Sequence, residues 1–374
     1  MDFQATLSQL AASGNLRRFP SDLEAGAIDF TSNDYLGLGS DAAMREEFFA
    51  RHSPAELAMT SSASRLLAAS QRPYSSLEKA LEAAYGRPAL MFNSGYHANT
   101  GIIPAIASRS DFIVADRLVH ASIIDGIKLS GAEFTRFRHN DYDHLEKIIE
   151  KKLAEATAPH SIIVIAESIY SMDGDRADIR RLAAIKKRFR DILLYVDEAH
   201  AVGVSGPGGL GEVAAQGEAE SVDILVGTLG KALASAGAYA ITSSVIRDYL
   251  INKARPLIFS TAISPAQALW SEFTFAKALA ADSLRQKLWQ NALLLAEAIP
   301  GGEPSHIRPL IVGDATAAVS LSTSLHREGF NVLPIRTPTV PPGTERLRFS
   351  LSASHGESDI KALADALKRL TDKQ

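Results

Sequence analysis

Two residues that could do chemistry follow predicted buried strands. Asp197 ends the apolar run ILLYV, and Lys231 lies three residues beyond a second apolar run, 224–228. Open α/β sheets bind ligands at the carboxyl ends of their strands, where we expect both side chains to lie. Each also has an ordinary explanation, because such an Asp can cap a helix and such a Lys can be a solvated surface charge. Together, an amine and a buried carboxylate predict a site for a carbonyl-bearing cofactor.

The cofactor that suits this pair is pyridoxal phosphate. Its aldehyde forms an imine with a lysine, and a buried carboxylate can keep its pyridine nitrogen protonated. Segment 94–99 (SGYHAN) follows a predicted strand and opens a predicted helix, so its backbone N–H groups could bind the phosphate. Ser94 could simply be a helix cap, which is the more common role for such a residue. His120 follows a third strand and could stack on the cofactor ring, although a single His is more often a surface or hydrogen-bonded core residue.

The elements that must position these residues alternate between strands and helices. Runs rich in branched apolar residues predict buried strands at 89–92, 112–116, 161–166, 192–197, 224–228 and 238–241. This alternation predicts a mostly parallel, doubly wound α/β sheet.

The sequence divides into three parts by composition. We expect an N-terminal segment at 1–35, a large α/β domain at 36–270 and a smaller C-terminal α+β domain at 271–374. In the last part, polar and apolar residues alternate over 346–352, so Arg346 and Arg348 share one strand face while Leu347 faces a core. That polar face could aim a guanidinium at a carboxylate, or could be solvated.

Composition excludes several classes of protein. The absence of Cys excludes disulfides, thiolate metal sites and a Cys nucleophile, and we predict no metal site. Lys and Arg number 39 against 43 Asp and Glu, and this net charge of −4 argues against a nucleic-acid-binding protein. The first residues are polar and no apolar run reaches about 18 residues, so we expect a cytoplasmic protein without membrane contact.

Two other motifs have weaker support. The glycines of GPGGLG, 206–211, match a dinucleotide fingerprint, but they lie well past the nearest strand and contain Pro207, which favours a flexible surface loop. Segment 197–200 (DEAH) spells a helicase box. The phosphate-binding loop that a helicase needs is absent, because Gly230-Lys231 lacks the preceding glycine and the following Ser or Thr.

Six short segments occur in the order seen in the α-oxoamine synthases, which are pyridoxal-phosphate enzymes of fold type I. Each is only suggestive by itself, whereas six in order are specific, and the chain resembles this family over nearly its whole length. The segments are 33–38 (NDYLGL), 115–122 (ADRLVHAS), 171–175 (SMDGD), 197–200 (DEAH), 228–231 (TLGK) and 341–348 (PPGTERLR).

The resemblance implies the roles of the cofactor site. Lys231 would hold the cofactor as an imine and move the substrate Cα proton, Asp197 would pair with the pyridine nitrogen, and His120 would stack on the ring. His200 would also act in catalysis. The other implied cofactor contacts are His200 and Ser171 at the phenolic oxygen, Gly95, Tyr96 and Thr228 at the phosphate, and Ser260 and Thr261 at the phosphate of a neighbouring subunit. The last role implies a homodimer with shared active sites.

The resemblance also implies where substrates bind. Asn33 and Arg348 would bind the amino-acid carboxylate, and Arg336 and Thr339 would line the acyl side, with Arg17 as a further contact. Segment 335–341 is similar to that of members joining L-alanine to a pimeloyl thioester, carried on coenzyme A or acyl carrier protein, with loss of carbon dioxide. Glycine or serine with other acyl thioesters, an aminotransferase reaction and a non-enzymatic binding protein remain alternatives.

The sequence departs from the family pattern in one region. Segment 61–70 has none of the glycines usual there, and Tyr74 stands where a His is common. These differences concern the acyl entrance and leave the expected cofactor chemistry unchanged.

Overall fold

The structure is a computed structural model that describes residues 2–19, 24, 26–155, 159–189 and 191–371. Its strands are β1 (Ile28–Asp29), β2 (Ala89–Phe92), β3 (Phe112–Asp116), β4 (Glu133–Phe137), β5 (Ile162–Glu167), β6 (Ile192–Asp197), β7 (Ile224–Thr228), β8 (Ala238–Ile241), β9 (Ile307–Ile311), β10 (Phe330–Asn331), β11 (Pro334–Ile335) and β12 (Arg346–Ser350). Its α-helices are α1 (Phe3–Ala12), α2 (Ala42–Arg51), α3 (Arg72–Tyr85), α4 (Gly95–Ile106), α5 (Ala121–Ser130), α6 (Tyr142–Leu153), α7 (Ile179–Arg188), α8 (Glu212–Ala215), α9 (Ser244–Lys253), α10 (Arg255–Phe259), α11 (Pro265–Leu279), α12 (Asp282–Ala298), α13 (Ala315–Arg327) and α14 (Glu357–Thr371).

The chain divides into two compact units. The large unit contains Leu36–Tyr170 and Arg176–Asp282, and the small unit contains Met1–Tyr35, Ser171–Asp175 and Ser283–Gln374. The domain boundary expected after residue 270 falls inside α11. The N-terminal segment belongs to the small unit because β1 pairs in parallel with β10.

The large unit is built on a seven-stranded sheet in the order β2-β8-β7-β6-β5-β3-β4. β8 runs antiparallel to both neighbours, and the other strand pairs are parallel. The mostly parallel α/β sheet predicted from the sequence is therefore confirmed. The sequence did not predict β4, which is an edge strand whose residues Glu133, Phe134 and Arg136 are exposed and which lacks the apolar run that marks the buried strands.

The core of the large unit explains why its strands read as continuously apolar. The side chains of β3 and β5 are buried on both faces, with Ile113, Val114 and Ile163 at 0% exposure. Helices α4 and α5 approach each other closely at Gly126, where a Cβ would lie 2.6 Å from the Asn99 carbonyl oxygen. This contact fixes the two helices whose first residues follow β2 and β3.

The small unit contains a three-stranded antiparallel sheet in the order β11-β12-β9. As the alternating pattern predicted, Leu347 and Phe349 of β12 are fully buried. No described helix of the protein is both long and apolar enough to cross a membrane.

Gly211, the last residue of the glycine-rich segment 206–211, packs against a buried carboxylate. Glu198 is fully buried, and its Oε1 accepts a hydrogen bond of 2.9 Å from the Val213 amide. Gly211 has φ +103°, and a Cβ there would lie 1.4 Å from Glu198 Oε2. Because Gly209 and Gly211 are also buried, the expectation of a flexible surface loop is wrong for these residues. Glycine is needed at position 211 to admit the carboxylate.

Replacing Gly211 with Ala is expected to destabilise the protein by about 3 kcal/mol or more. The new Cβ would overlap the Glu198 carboxylate, and the Ala would have to adopt a positive φ that L-residues disfavour. Urea denaturation measures this loss. Gly217→Ala is the matched control: its φ is +75° and no atom lies within 4 Å of the new Cβ, so it should cost only about 1 kcal/mol. Equal losses in both variants would show that backbone strain alone sets the cost.

Candidate active site

Lys231 lies in the turn that follows β7. The turn is closed by hydrogen bonds from the Ala234 amide to the Lys231 carbonyl, 2.8 Å, and from the Gly230 amide to Thr228 Oγ1, 3.3 Å. The half-buried side chain places its Nζ 2.7 Å from His200 Nε2. The structure thus brings together an amine and an imidazole that were predicted from different motifs, and the imidazole can exchange a proton with the amine.

Asp197 ends β6 with a side chain that is only 5% exposed. Its Oδ2 accepts a hydrogen bond of 2.8 Å from Asn99 Nδ2, and its Oδ1 accepts one of 2.9 Å from the Ala199 amide. The second bond is the local turn contact expected of an ordinary Asp after a strand. The first comes from a different element, α4, and gives the carboxylate a fixed orientation that local structure does not require.

His120 is held against the same part of the sheet. Its backbone amide donates to the Glu167 carboxylate, and its Nδ1 lies 2.7 Å from Ser122 Oγ. Burial lowers the pKa of His120, and the positive charge of Lys231 lowers it further, while Asp197 opposes this shift. His120 is therefore a neutral imidazole at pH 7.

Glu167 is the cross-strand partner of Asp197, and both side chains are buried. Burial raises the pKa of Glu167 well above its usual value, and repulsion from Asp197 raises it further. Both effects favour the protonated form of Glu167 beside Asp197.

The first turn of α4 begins where a phosphate site was predicted. Ser94 caps this helix, and its Oγ accepts a hydrogen bond of 3.2 Å from the His97 amide, which confirms the ordinary reading of that residue. Gly95 and Tyr96 are the first two residues of the helix, and the Tyr96 hydroxyl donates to Asp125. Their backbone amides provide the positive end of the helix dipole.

The remaining predicted cofactor residues of the large unit lie near the ends of β7 and β2. Thr228 Oγ1 donates to the Gly237 carbonyl at 3.2 Å, and a Cβ on Gly95 would lie 4.0 Å from the same oxygen. Ser260 and Thr261 follow α10, and the Thr261 carbonyl accepts a hydrogen bond of 2.5 Å from Asn93. Thr228 is therefore next to the first turn of α4.

In the small unit, Arg348 and Asn33 are brought together as predicted. Arg348 Nη2 lies 3.1 Å from Asn33 Oδ1, and its Nε donates to the Ser171 carbonyl at 2.5 Å. Arg348 is 8% exposed, and Tyr35 beside it is fully buried. Burial raises the pKa of Tyr35 to about 12, although the positive charge of Arg348 opposes the shift. Ser171 contacts Arg348 through its backbone, so the predicted contact of Ser171 with the cofactor stays a prediction.

The two arginines on the polar face of β12 have different partners. Arg346 forms an ion pair with Asp173. Among the described residues, Arg348 has no carboxylate within ion-pair distance. Because both arginines are buried, the alternative that this face is solvated is wrong.

The small unit also brings together Arg17, Arg336 and Thr339. Arg17 Nη2 donates to Thr339 Oγ1 at 2.8 Å, and Arg336 donates to the Gly14 carbonyl. Burial lowers the pKa of Arg336, and the like charge of Arg17 lowers it further. Within the described part of the chain, neither arginine has an acidic partner, so the cluster is a candidate anion site.

Segment 61–70, which lacks the family's glycines, is anchored by a buried ion pair. The Arg65 guanidinium makes two hydrogen bonds to Glu78, of 2.9 and 3.0 Å, and stacks 4.7 Å above the Tyr74 ring. The Tyr74 hydroxyl donates to the Ile263 carbonyl at 2.5 Å. Tyr74 thus has a packing role that accounts for its presence.

Sequence reasoning missed several polar residues around Asp197. Asn99 and Ser122 occurred within the motifs but were given no role, and Glu167 and Tyr195 were not considered. A signal was available for Glu167, which ends an apolar strand as Asp197 does. Asn99 is a single polar residue on the buried face of α4, which is a signal for a specific hydrogen-bond partner.

The large unit contains the groups that pyridoxal phosphate requires. Its side chains supply an amine, a buried carboxylate for a pyridine nitrogen and an imidazole, and the start of α4 supplies backbone amides for a phosphate. No group of three or more His, Asp or Glu suited to a metal ion is found in the described residues.

Comparison with known proteins agrees with this chemistry. Residues 25–367 match the family model of class I and II aminotransferases. The chain is 46% identical to 8-amino-7-oxononanoate synthase of Chlorobaculum parvum, over 92% of this chain and 89% of that protein. A solved structure of SPT with a PLP internal aldimine is 28% identical over 98% of this chain and 97% of that chain, with TM-score 0.86. The corresponding values for 8-amino-7-oxononanoate synthase from Francisella tularensis are 27%, 94%, 99% and 0.77.

The chain therefore belongs to the class I and II aminotransferase family and, within it, to the α-oxoamine synthases, which are fold-type I, pyridoxal-phosphate-dependent acyltransferases. Within that family it resembles 8-amino-7-oxononanoate synthase. The fold and the cofactor predicted from the sequence are confirmed.

The buried Glu198 should make the free energy of unfolding depend on pH. Burial raises the pKa of Glu198 to about 8, above its usual 4.5. Between these values the folded state binds more protons than the unfolded state, so this residue lowers the free energy of unfolding as the pH rises. Replacing it with Gln removes that loss, and the variant should gain more than about 1 kcal/mol relative to wild type between pH 5 and pH 8. Parallel stability curves, measured by urea denaturation at each pH, would contradict the assignment.

Proposed function

We propose that the chain catalyses the decarboxylative condensation of L-alanine with a pimeloyl thioester, giving 8-amino-7-oxononanoate, carbon dioxide and a free thiol. This reaction belongs to biotin biosynthesis, and the thiol carrier is coenzyme A or acyl carrier protein. The observation that carries the proposal is the arginine cluster of the small unit, because it suits an acyl group that ends in a carboxylate. The 46% identity to 8-amino-7-oxononanoate synthase of Chlorobaculum parvum supports the same reaction.

The residues of the large unit would hold the cofactor and move the proton. Pyridoxal phosphate supplies an electron sink for negative charge at the substrate Cα. Lys231 would bind the cofactor covalently, and its Nζ, once released, would take the Cα proton of alanine. His200, whose Nε2 lies 2.7 Å from that amine, can share the proton. Asp197 would keep the pyridine nitrogen protonated.

The other proposed cofactor contacts are those that the family resemblance implies. His120 would lie against the ring, and its N–H could stabilise a developing oxyanion. The first turn of α4, with Gly95, Tyr96 and the nearby Thr228, would hold the phosphate, and His200 and Ser171 would serve the phenolic oxygen.

Arg348 and Asn33 would bind the carboxylate of alanine. The guanidinium is buried and held in place by neutral oxygens of Ser171, Ser350 and Asn33. A buried cation without a carboxylate partner favours binding of an anion, since pairing offsets its desolvation.

The acyl end would be recognised by Arg17, Arg336 and Thr339. A pimeloyl group ends in a carboxylate, which two arginines can bind, whereas an acetyl or palmitoyl group offers them no charge. This distinction favours an acyl donor that ends in a carboxylate, such as pimeloyl or succinyl, over an acetyl or palmitoyl donor, and the identity to 8-amino-7-oxononanoate synthase of Chlorobaculum parvum favours pimeloyl.

We also propose that two copies form a homodimer with shared sites. Ser260 and Thr261 would reach the phosphate bound by the neighbouring subunit. Phe259, next to Ser260, is 70% exposed, and Leu66 and Leu67 of segment 61–70 are 49% and 78% exposed. Such exposed apolar residues are common at protein interfaces.

Lys231→Ala should abolish both the visible absorption of the bound cofactor and the condensation, because the amine that binds the cofactor and moves the proton is lost. Absorption spectroscopy and an assay that follows carbon dioxide and free thiol from L-alanine and pimeloyl-CoA measure the two losses. Lys253→Ala, at an exposed position of α9, is the control and should change neither. An active Lys231→Ala variant would contradict the assignment. A wild-type protein that transfers the amino group of alanine to a keto acid, and releases no thiol from pimeloyl-CoA, would be an aminotransferase.

Arg336→Gln should raise the KM for pimeloyl-CoA about tenfold or more and leave the KM for L-alanine nearly unchanged, because a charge-assisted hydrogen bond to the acyl carboxylate is lost. Arg327→Gln, at an exposed position of α13, is the matched control and should change neither constant. Steady-state kinetics with acetyl-CoA and palmitoyl-CoA as competing donors test the alternatives. Equal use of acetyl-CoA would contradict recognition of a terminal carboxylate.

A further inference from the structure

Two buried residues, Asn99 and Ser122, connect Asp197 with His120 in the large unit, and a third, Tyr195, holds Asn99. Asn99 and Ser122 are each 1% exposed, and Tyr195 is fully buried. Asn99 Nδ2 lies 2.8 Å from Asp197 Oδ2 and 2.9 Å from Ser122 Oγ, while Ser122 Oγ lies 2.7 Å from His120 Nδ1. The Tyr195 hydroxyl contacts Asn99 Oδ1 at 2.5 Å. The residues belong to β6, α4 and α5, so the chain of bonds joins three elements.

The chemistry of the groups fixes the direction of each bond. An ionised Asp197 carboxylate only accepts, so the Asn99 amide must present Nδ2 to it and Oδ1 to the Tyr195 hydroxyl. The two hydrogens of Nδ2 then go to Asp197 and to Ser122. Because the Ser122 oxygen accepts from Asn99, its single hydrogen is available for His120.

The donors that face the His120 ring determine which of its nitrogens carries the proton. The Ser122 hydroxyl donates to His120 Nδ1, and the Ser122 backbone amide also points at Nδ1 from 3.3 Å. A nitrogen that faces two donors must be the unprotonated acceptor of the ring. The ring of a neutral His120 therefore has its proton on Nε2, the nitrogen on the opposite side from Ser122.

We propose that Tyr195, Asn99 and Ser122 are positioning residues that tie the His120 ring to Asp197 and hold it as the neutral tautomer with its proton on Nε2. In this tautomer the exposed edge of the ring donates a hydrogen bond and cannot act as a base. The inference deepens the proposed function, since it assigns His120 as a fixed donor and leaves proton removal to Lys231. The role of the His120 ring as a donor in catalysis rests on the proposed condensation. The position of its proton does not, because it is set by hydrogen bonds within the chain.

The tautomer is tested directly by nitrogen NMR of protein labelled with 15N-histidine, measured with and without pyridoxal phosphate. The His120 signals are identified by their loss in His120→Asn. In wild type, Nδ1 should have the shift of an unprotonated ring nitrogen and Nε2 that of a protonated one, at pH 7 to 8. In Ser122→Ala this signature should be replaced by averaging between tautomers, and Ser122→Thr, which keeps the hydroxyl, should restore it.

Kinetics provide a second measurement. Ser122→Ala should lower kcat for the condensation about tenfold with the KM for L-alanine unchanged, and Ser122→Thr should recover most of it. Ser130→Ala, at the other end of α5, is the matched control and should leave both the NMR signature and kcat as in wild type. Tyr195→Phe keeps the volume and removes the donor to Asn99, so it tests the chain of bonds if a Ser122 variant fails to fold.

The NMR and kinetic results test the positioning role and the proposed condensation separately. A His120 ring protonated on Nδ1, or a signature unchanged in both Ser122→Ala and Tyr195→Phe, would overturn the positioning role. If the wild-type signature is as expected but alanine and pimeloyl-CoA do not react, the positioning role stands and the proposed function fails.

Discussion

A single negative charge, buried at the carboxyl end of β6, is the constraint around which the large unit is arranged. Removing the Asp197 carboxylate from water is costly unless donors replace the lost hydration. The Asn99 amide and the Ala199 backbone provide such donors. A second charge on the cross-strand neighbour Glu167 would add to the cost, and burial together with Asp197 raises the pKa of Glu167, which favours its neutral form.

The first two turns of helix α4 contain both the candidate phosphate site and a residue that binds the buried Asp197 carboxylate. Its N-terminal amides form the candidate phosphate site, and Asn99, in the second turn, holds the carboxylate. The spacing along this one helix therefore fixes the separation between the candidate phosphate site and the buried carboxylate. Gly126 contributes from α5, because any larger residue would push that helix away from Asn99 and would separate Ser122 from the amide it contacts. A residue without a functional group thus sets the geometry of a polar site.

The sequence predicted the parts of the molecule in which one local pattern has one physical meaning. Continuous apolar runs marked the buried parallel strands, and Asp197 and Lys231 were selected because they follow such runs, at the carboxyl ends of strands where α/β sheets bind ligands. β4 was missed because an exposed edge strand has no such run. Asn99, Ser122 and Tyr195 could not be assigned, since their role depends on partners up to 98 positions apart that only the fold brings together. The burial of Gly211 was missed for the same reason, because its partner is the Glu198 carboxylate, which lies outside the glycine-rich segment.

The pair of arginines on β12 shows why a strand pattern alone does not define a binding residue. Arg346 and Arg348 share a face, a residue type and nearly the same burial, and no local feature separates them. The difference arises in segment 171–175, which offers the Asp173 carboxylate to Arg346 and only the Ser171 carbonyl to Arg348. A neutral oxygen orients a guanidinium but does not neutralise its charge, so a buried arginine held this way gains most from an anionic ligand. Arg346 is already paired, and Arg348 is therefore the arginine suited to the carboxylate of a substrate.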